Sequence, residues 1–393
     1  MLVGEEEKEA VLKVLDRQRL FRFYGPGDNP SVVDEFEERF AKFLGVEHAL
    51  AVSSGTAALI CGVAAMGVGP GDEVIVPAYT WEATASAVYH MGGVPVVAEV
   101  DDTFTLDPED VEAKITPYTR AIIPVHMSGV PCKMDAIMDI ARRHNLKVLE
   151  DTAQANGGSY HGKHLGTWGD IGMFSLQFNK IITCGEGGAV VTNDTELYHE
   201  AMIMHDMIAP LRVGVSHDRL KPSINFRMTE LQGAIINAQL DKLPDLLSRM
   251  RESKAVLRQG IDEIGRERPV TMRRLNDPAG DTGYTLVISL ETPEKAAKVR
   301  EALAAENIGT THMYQPDVPD FHVAAHWAPI INKRGWSEKA NPWTWAHREI
   351  TYEMPKTLEI LSRSLMMQVS PLLSSQDIEE IMDGYDKVLR ALA

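Results

Sequence analysis

From Glu47 onward the chain alternates short β-rich runs with helix-length segments, and this rhythm restricts the fold more than any other feature. The runs are His48 to Val52, Glu73 to Pro77, Val94 to Val97, Arg120 to Val125, Lys147 to Glu150, Ile171 to Leu176 and Gly188 to Thr192. Between them, Thr56 to Met66, Thr80 to His90, Asp107 to Ala113 and Lys133 to Asn145 have helical spacing. Parallel strands need long crossovers, and these segments supply them. The pattern predicts an α/β large domain with a mostly parallel central sheet flanked by helices. Two helical stretches precede it, Glu5 to Leu20 and Ser31 to Leu44, separated by a turn at Gly25 to Gly27. After Thr192 the alternation stops. A long helical pattern runs from about Met228 to Ile264, with a bend expected at Pro244. Strand-like runs at Tyr284 to Leu290 and Leu365 to Val369 then join helices at Pro293 to Asn307 and Ser375 to Leu392. The expected division is a large domain over residues 1–245, with N-terminal helices in 1–45, and a smaller C-terminal α+β domain over 246–393.

Charge excludes some functions. With 39 Lys and Arg against 56 Asp and Glu, the net charge is −17, and no basic stripe offsets it. Such a chain repels a nucleic-acid backbone, so no nucleic-acid partner is expected. No apolar stretch is long enough to cross a membrane, so no membrane partner is expected. The three cysteines, Cys61, Cys132 and Cys184, match no metal spacing, and the first ten residues are acidic without an apolar core. Together these predict a reduced, cytoplasmic setting.

Three motifs fail on inspection. Gly157 to His164 has the GxxxxGK skeleton of a phosphate loop, but His164 stands where a hydroxyl must hold magnesium. Gly67, Gly69 and Gly71 precede a strand instead of following one, as a dinucleotide turn must. His322 and His326 have zinc spacing on a helix, yet Val323 occupies the general-base position and no third ligand is evident. They read as ordinary polar histidines, and no metal is expected.

Ligands of open α/β sheets bind outside the carboxyl ends of the strands. The residues there form a set. Ser53-Ser54-Gly55-Thr56 leads from strand into helix, where free amides, hydroxyls and the helix dipole make a cup for an anion such as phosphate. Trp81 brings an aromatic plane to the same edge, and Asp151 a carboxylate, with Gln154 one turn on. Lys180 follows a later strand, ahead of the glycine-rich Gly185 to Gly188. Taken singly, these residues also fit helix caps, a core tryptophan and a solvated lysine. Taken together they are the contacts that pyridoxal phosphate needs. The cup anchors its phosphate and Trp81 sandwiches its ring. Asp151 keeps the ring nitrogen protonated, so that electrons can be withdrawn from the substrate α-carbon. Lys180 condenses with the aldehyde as a Schiff base and then serves as the base that moves the α-proton.

At these residues the sequence resembles the DegT/StrS family of sugar aminotransferases, pyridoxal-phosphate enzymes of fold type I. The matching stretches are SSGTAAL (Ser53 to Leu59), VPAYTWEATASAV (Val76 to Val88), PVH (Pro124 to His126), Glu150 to Ser175, NKIITCGEGGAVVTND (Asn179 to Asp194) and NFRMTELQGA (Asn225 to Ala234). The resemblance implies Lys180 as the Schiff-base lysine, Asp151 on the pyridine nitrogen and Gln154 near the ring hydroxyl. It also implies Trp81 stacked on the ring, with Gly55, Thr56 and Ser175 on the phosphate. Asn225 would reach the phosphate from a partner subunit, which implies a homodimer with shared sites. The implied reaction is ping-pong transfer of an amine from an amino acid, L-glutamate or L-glutamine, to a carbonyl of a sugar, sugar acid or cyclitol. The alternatives are a dehydratase or aromatising lyase of the same fold, and a non-catalytic regulatory homologue. Two departures leave the acceptor open. Met127-Ser128-Gly129 replaces an aromatic-glycine pair, and 322–348 is rich in His and Trp, which suits either a substrate-facing loop or a packing patch.

Overall fold

The computed structural model describes residues 2–23, 30–266 and 268–392, so the turn at Gly25 to Gly27 lies outside the described residues. The chain opens with α1 (Glu5–Asp16) and α2 (Val32–Leu44). The Ser31 hydroxyl accepts from the Val33 and Asp34 amides and starts α2, while Gly45, at φ 71°, ends it in the left-handed conformation glycine favours. Phe36 and Phe40 on α2 reach Phe174 beneath the sheet. Arg22 closes this corner with a buried double hydrogen bond to Glu37, whose carboxylate also accepts from the Ala51 amide.

The large layer follows in order: β1 (His48–Val52), α3 (Gly55–Ala65), β2 (Glu73–Pro77), α4 (Ala83–His90), β3 (Val94–Ala98), α5 (Pro108–Lys114), β4 (Thr119–Ile122), α6 (Met134–His144) and β5 (Lys147–Asp151). A small hairpin, β6 (Ser159–Tyr160) with β7 (Lys163–His164), holds the GxxxxGK skeleton as a turn at Gly162, φ 77°. Then come β8 (Ile171–Ser175), β9 (Gly188–Thr192), α7 (Thr195–His205) and α8 (Ala209–Arg212). The seven-stranded sheet has the order β1-β9-β8-β5-β4-β2-β3. From β8 to β3 the neighbours are parallel, whereas β9 runs antiparallel to both β8 and β1. The reversal has a simple cause. Residues 176–187 join β8 to β9 without a crossover helix, so the chain doubles back, and this return loop carries Lys180.

Most expected elements stand within a residue or two of their places. Three differ for identifiable reasons. Helix α1 ends at Asp16, not Leu20, because the backbone leaves the helix at Gln18, whose φ is 55°. Helix α4 starts at Ala83, not Thr80, because the Thr80 and Glu82 amides donate to the His322 and Phe321 carbonyls of a distant segment. Strand β4 stops at Ile122 because Val125 leaves the ladder for a single bridge to Asp151.

Helix α9 (Glu230–Gly265) continues unbroken through Pro244. Its first half packs Ile236, Leu240 and Leu243 against α2 and the large sheet, and its second half packs Leu257 and Ile261 against the smaller layer. The chain then runs through β10 (Thr271–Met272), β11 (Thr285–Ser289), α10 (Pro293–Ala305), β12 (Thr311–His312), α11 (Ala328–Ile331), α12 (Pro355–Ser362), β13 (Ser364–Gln368) and α13 (Ser375–Leu392), of which α11 packs with the large layer through Ile330 and the others build the smaller one. Its antiparallel sheet has the order β10-β11-β13-β12, two strands more than the sequence suggests. Part of the Trp-rich segment returns to the large layer. Trp327 is fully buried with Val76 and Ile330. Trp343 donates to the Tyr352 hydroxyl, which donates in turn to the Pro95 carbonyl.

Candidate active site

Seven of the eight site residues expected from sequence line one cavity of ≈290 Å³ at the carboxyl end of the sheet: Gly55, Thr56, Trp81, Asp151, Gln154, Ser175 and Lys180. The anion cup forms where β1 meets α3. Ser54 spends its hydroxyl on the Ala57 amide, while the first-turn amides of Gly55 and Thr56 have no partner within the helix. Gly55 is required by packing. A β-carbon there would lie 2.7 Å from Ser175 Cβ, closer than such atoms approach, so only glycine lets the start of α3 seat against the end of β8.

Asp151 ends β5 and is 4% exposed. Its Oδ2 accepts from Thr84 Oγ1 at 2.9 Å and its Oδ1 from the Ala153 amide at 3.1 Å. Burial raises its pKa; the two hydrogen bonds, then Lys180 and His126, pull it back toward the ionised form. Burial lowers the Lys180 pKa, against the attraction of Asp151 and Glu186. Lysine thus shifts toward the neutral amine in the same cavity where a carboxylate is supported by donors. The Gln154 amide oxygen accepts from the Ser128 amide at 3.0 Å, which fixes its side chain. Trp81 is half exposed and meets the His322 ring at a centroid distance of 5.0 Å.

Glu150, the neighbour of Asp151, points to the other side of the strand. Its fully buried carboxylate accepts from the Gly166, Trp168 and Gly169 amides and meets His126 Nε2 at 3.0 Å. The Cys132 amide donates to His126 Nδ1, so the ring is pinned at both nitrogens.

Asn225 stands apart. It is exposed and its Oδ1 accepts from the Arg227 amide, outside this cavity. Its segment nevertheless borders the cup, because the Ser53 amide donates to the Phe226 carbonyl. Beyond Lys180 a second cavity of ≈300 Å³ shares Gln154, Asn179, Lys180 and His322 with the first and adds Tyr79, Ser128, Tyr284 and Asp320.

Sequence reasoning missed Thr84, Ser128, Asp320 and His322. His322, which reads from sequence both as an ordinary polar histidine and as the start of a candidate substrate-facing loop, faces both cavities, with Nδ1 2.8 Å from Asp320 Oδ1. Thr84 left one usable signal, its position four residues after Thr80, whose hydroxyl it meets at 2.9 Å. Among the described residues no group of three or more His, Cys, Asp or Glu is placed to hold a metal ion, and no helix is long and apolar enough to cross a membrane.

The arrangement suits a phosphorylated aromatic aldehyde. The amides at the start of α3 and the close-packed Gly55 would face its phosphate, the buried Asp151 carboxylate would face a protonated ring nitrogen, and the partly desolvated Lys180 amine stands within the same walls.

Comparison with known proteins agrees. The model of the DegT/DnrJ/EryC1/StrS aminotransferase family matches residues 2–333. The L-glutamine:2-deoxy-scyllo-inosose aminotransferase of Streptomyces lividus is 33% identical, with 97% of this chain and 92% of that protein covered. The GDP-perosamine synthase of Escherichia coli is 35% identical over 84% of this chain and 88% of its own length. Among solved structures, an aminotransferase from Psychrobacter cryohalolentis superposes with a TM-score of 0.86 at 26% identity, covering 100% of this chain and 98% of that one.

Proposed function

Because the chain belongs to the DegT/DnrJ/EryC1/StrS aminotransferase family, we propose that it moves an amino group from L-glutamate or L-glutamine to a carbonyl carbon of a sugar, sugar acid or cyclitol, in amino-sugar biosynthesis. It is a pyridoxal 5'-phosphate-dependent aminotransferase of fold type I. When bound, the cofactor supplies the electron sink that lets the α-carbon lose a proton. The chain's own residues do the rest. The Gly55 and Thr56 amides with the Ser175 hydroxyl would anchor the phosphate, and Trp81 would cover the ring. Gln154, held by Ser128, orients the ring hydroxyl. Asp151, whose ionised form Thr84 and Ala153 favour against burial, would hold the proton on the ring nitrogen. Lys180 would hold the cofactor covalently through Nζ, and the same atom, when free, would take and return the migrating proton.

One observation carries this reading: Asp151 and Lys180, widely separated in sequence, line a single cavity in which burial shifts the lysine toward the neutral amine and two donors oppose the rise that burial imposes on the carboxyl. Lys180→Ala tests it. Loss of amine transfer, together with loss of borohydride labelling at residue 180, is expected; turnover at the wild-type rate overturns the mechanism. Retention of Asp151, Gln154 and Lys180 argues against a non-catalytic regulatory role. Asn225, exposed beside the cup, supports a homodimer in which it reaches the partner's phosphate; full activity in a monomeric preparation refutes this. The acidic composition and three free cysteines support a cytoplasmic setting. The change in packing partner along α9, which falls between Met250 and Leu257, supports a division into a cofactor-binding domain and a smaller C-terminal one a few residues beyond the expected 245/246.

A further inference from the structure

A third cavity, of ≈390 Å³, shares no lining residue with the first two and lies between the second half of α9 and the connection from β10 to β11. Arg251, Lys254 and Arg258 project into it from one face of the helix, being spaced three, four and seven residues apart. Arg274 joins them from the opposite wall, where Leu275 and Pro278 supply apolar surface.

The counter-charges are unevenly shared. Lys254 is buried and paired with Asp281. Arg274 is paired with Asp101 and Asp102. Arg251 donates through Nε only to the Asp281 carbonyl, at 2.7 Å. For Arg258 the carboxylates that reach it at all, Asp281 and Asp262, act at a distance. Among the described residues neither Arg251 nor Arg258 has a carboxylate within ion-pair distance, in a protein whose net charge is −17. Burial pulls both guanidinium pKa values down, Asp281 and Asp277 offsetting this only in part for Arg251, and Asp281 and Asp262 for Arg258. Two part-buried guanidinium groups thus face one cavity with most of their donors unspent. Such planar forks match phosphoryl oxygens in pairs.

The geometry points to a binding site, separate from the cofactor cup, for the doubly charged phosphoryl group of a small phosphorylated molecule, held by Arg251 and Arg258 with its body against Leu275 and Pro278. Lys254 and Asp281 brace the floor of the site. This inference is independent of the acceptor's identity and of the transfer mechanism.

Calorimetric titration of the cofactor-loaded enzyme with inorganic pyrophosphate tests it, with sodium sulfate at matched ionic strength as the screening control. Saturable binding of one pyrophosphate per chain is expected, weakened at least tenfold in both Arg251→Gln and Arg258→Gln. The midpoint of thermal unfolding and the rate of amine transfer should stay at wild-type values in these variants. Uridine diphosphate and glucose 1-phosphate, titrated in parallel, distinguish a nucleotide source from a sugar source; binding of either that is lost in the same two variants supports the site. Absence of saturable binding, binding undiminished in both variants, or equal binding of sulfate overturns it.

Discussion

A single hydroxyl tests the electrostatic argument at the centre of the site. Asp151 is almost wholly buried, and among the described residues its carboxylate receives two hydrogen bonds, from Thr84 Oγ1 at 2.9 Å and from the Ala153 amide at 3.1 Å. Thr84→Val keeps the branched shape and removes one of the two donors. A hydrogen bond to a charged group contributes about 1.5–3 kcal/mol. If all of it is felt in the transition state, a tenfold change per 1.36 kcal/mol makes the loss in kcat/KM about 10- to 150-fold, an upper bound. The sign in pH follows from the same bond. Burial already raises the Asp151 pKa and Thr84 opposes it, so the variant's carboxyl protonates at higher pH and the acidic limb of the rate profile moves upward. Thr80→Val is the control. Thr80 touches Thr84 and not Asp151, so it should leave the limb in place. Steady-state amine transfer across pH, with a thermal melt to confirm folding, provides the measurement. A folded Thr84→Val enzyme with wild-type kcat/KM and an unmoved limb would refute the idea that donors keep Asp151 ionised.

Three further perturbations have defined outcomes. Gly55→Ala puts a β-carbon 2.7 Å from Ser175 Cβ; overpacking of about 1–3 kcal/mol should weaken cofactor retention by about 5- to 150-fold, and undiminished retention after gel filtration would dismiss the proposed cup. Arg22→Met strands the Glu37 carboxylate, which burial already holds up to about 7, and should cost about 3–5 kcal/mol in a urea melt; an unchanged midpoint contradicts the buried pair. Among the described residues, buried His205 has no partner at either ring nitrogen, and burial takes its pKa from 6.5 down to about 3. Its contribution to stability is therefore complete above pH 6.5 and is lost as pH falls toward 3, because the unfolded chain binds the proton first. His205→Phe should flatten the stability curve over that window, and a slope identical to wild type excludes the assignment.

The strand ends were legible because small, chemically distinct residues follow apolar runs there: Ser54-Gly55-Thr56 after β1, Asp151 closing β5, and Lys180 after β8. Periodicity could also locate β1, β2, β9 and α13 by their ends. It could not find β10 or β12, whose two residues each leave no period to detect. Nor could it reveal that β9 reverses direction, since a strand reads alike in either sense. Thr84 and His322 escaped for a different reason. Their importance arises from contacts across the fold, Thr84 to Asp151 and the His322 carbonyl to the Thr80 amide, and not from any local pattern. The Trp-rich segment divides between both expectations, Trp327 serving packing while His322 faces the cavities.

The last two residues of β5 divide their labour. Glu150 fastens three loop amides and His126 on one side, while Asp151 addresses the cavity on the other. An engineer retargeting this scaffold to an unfamiliar ketone therefore has unequal freedom. Substitutions near Asp320 and His322 alter the chamber alone, whereas any edit to the Glu-Asp pair disturbs chassis and chemistry in one stroke.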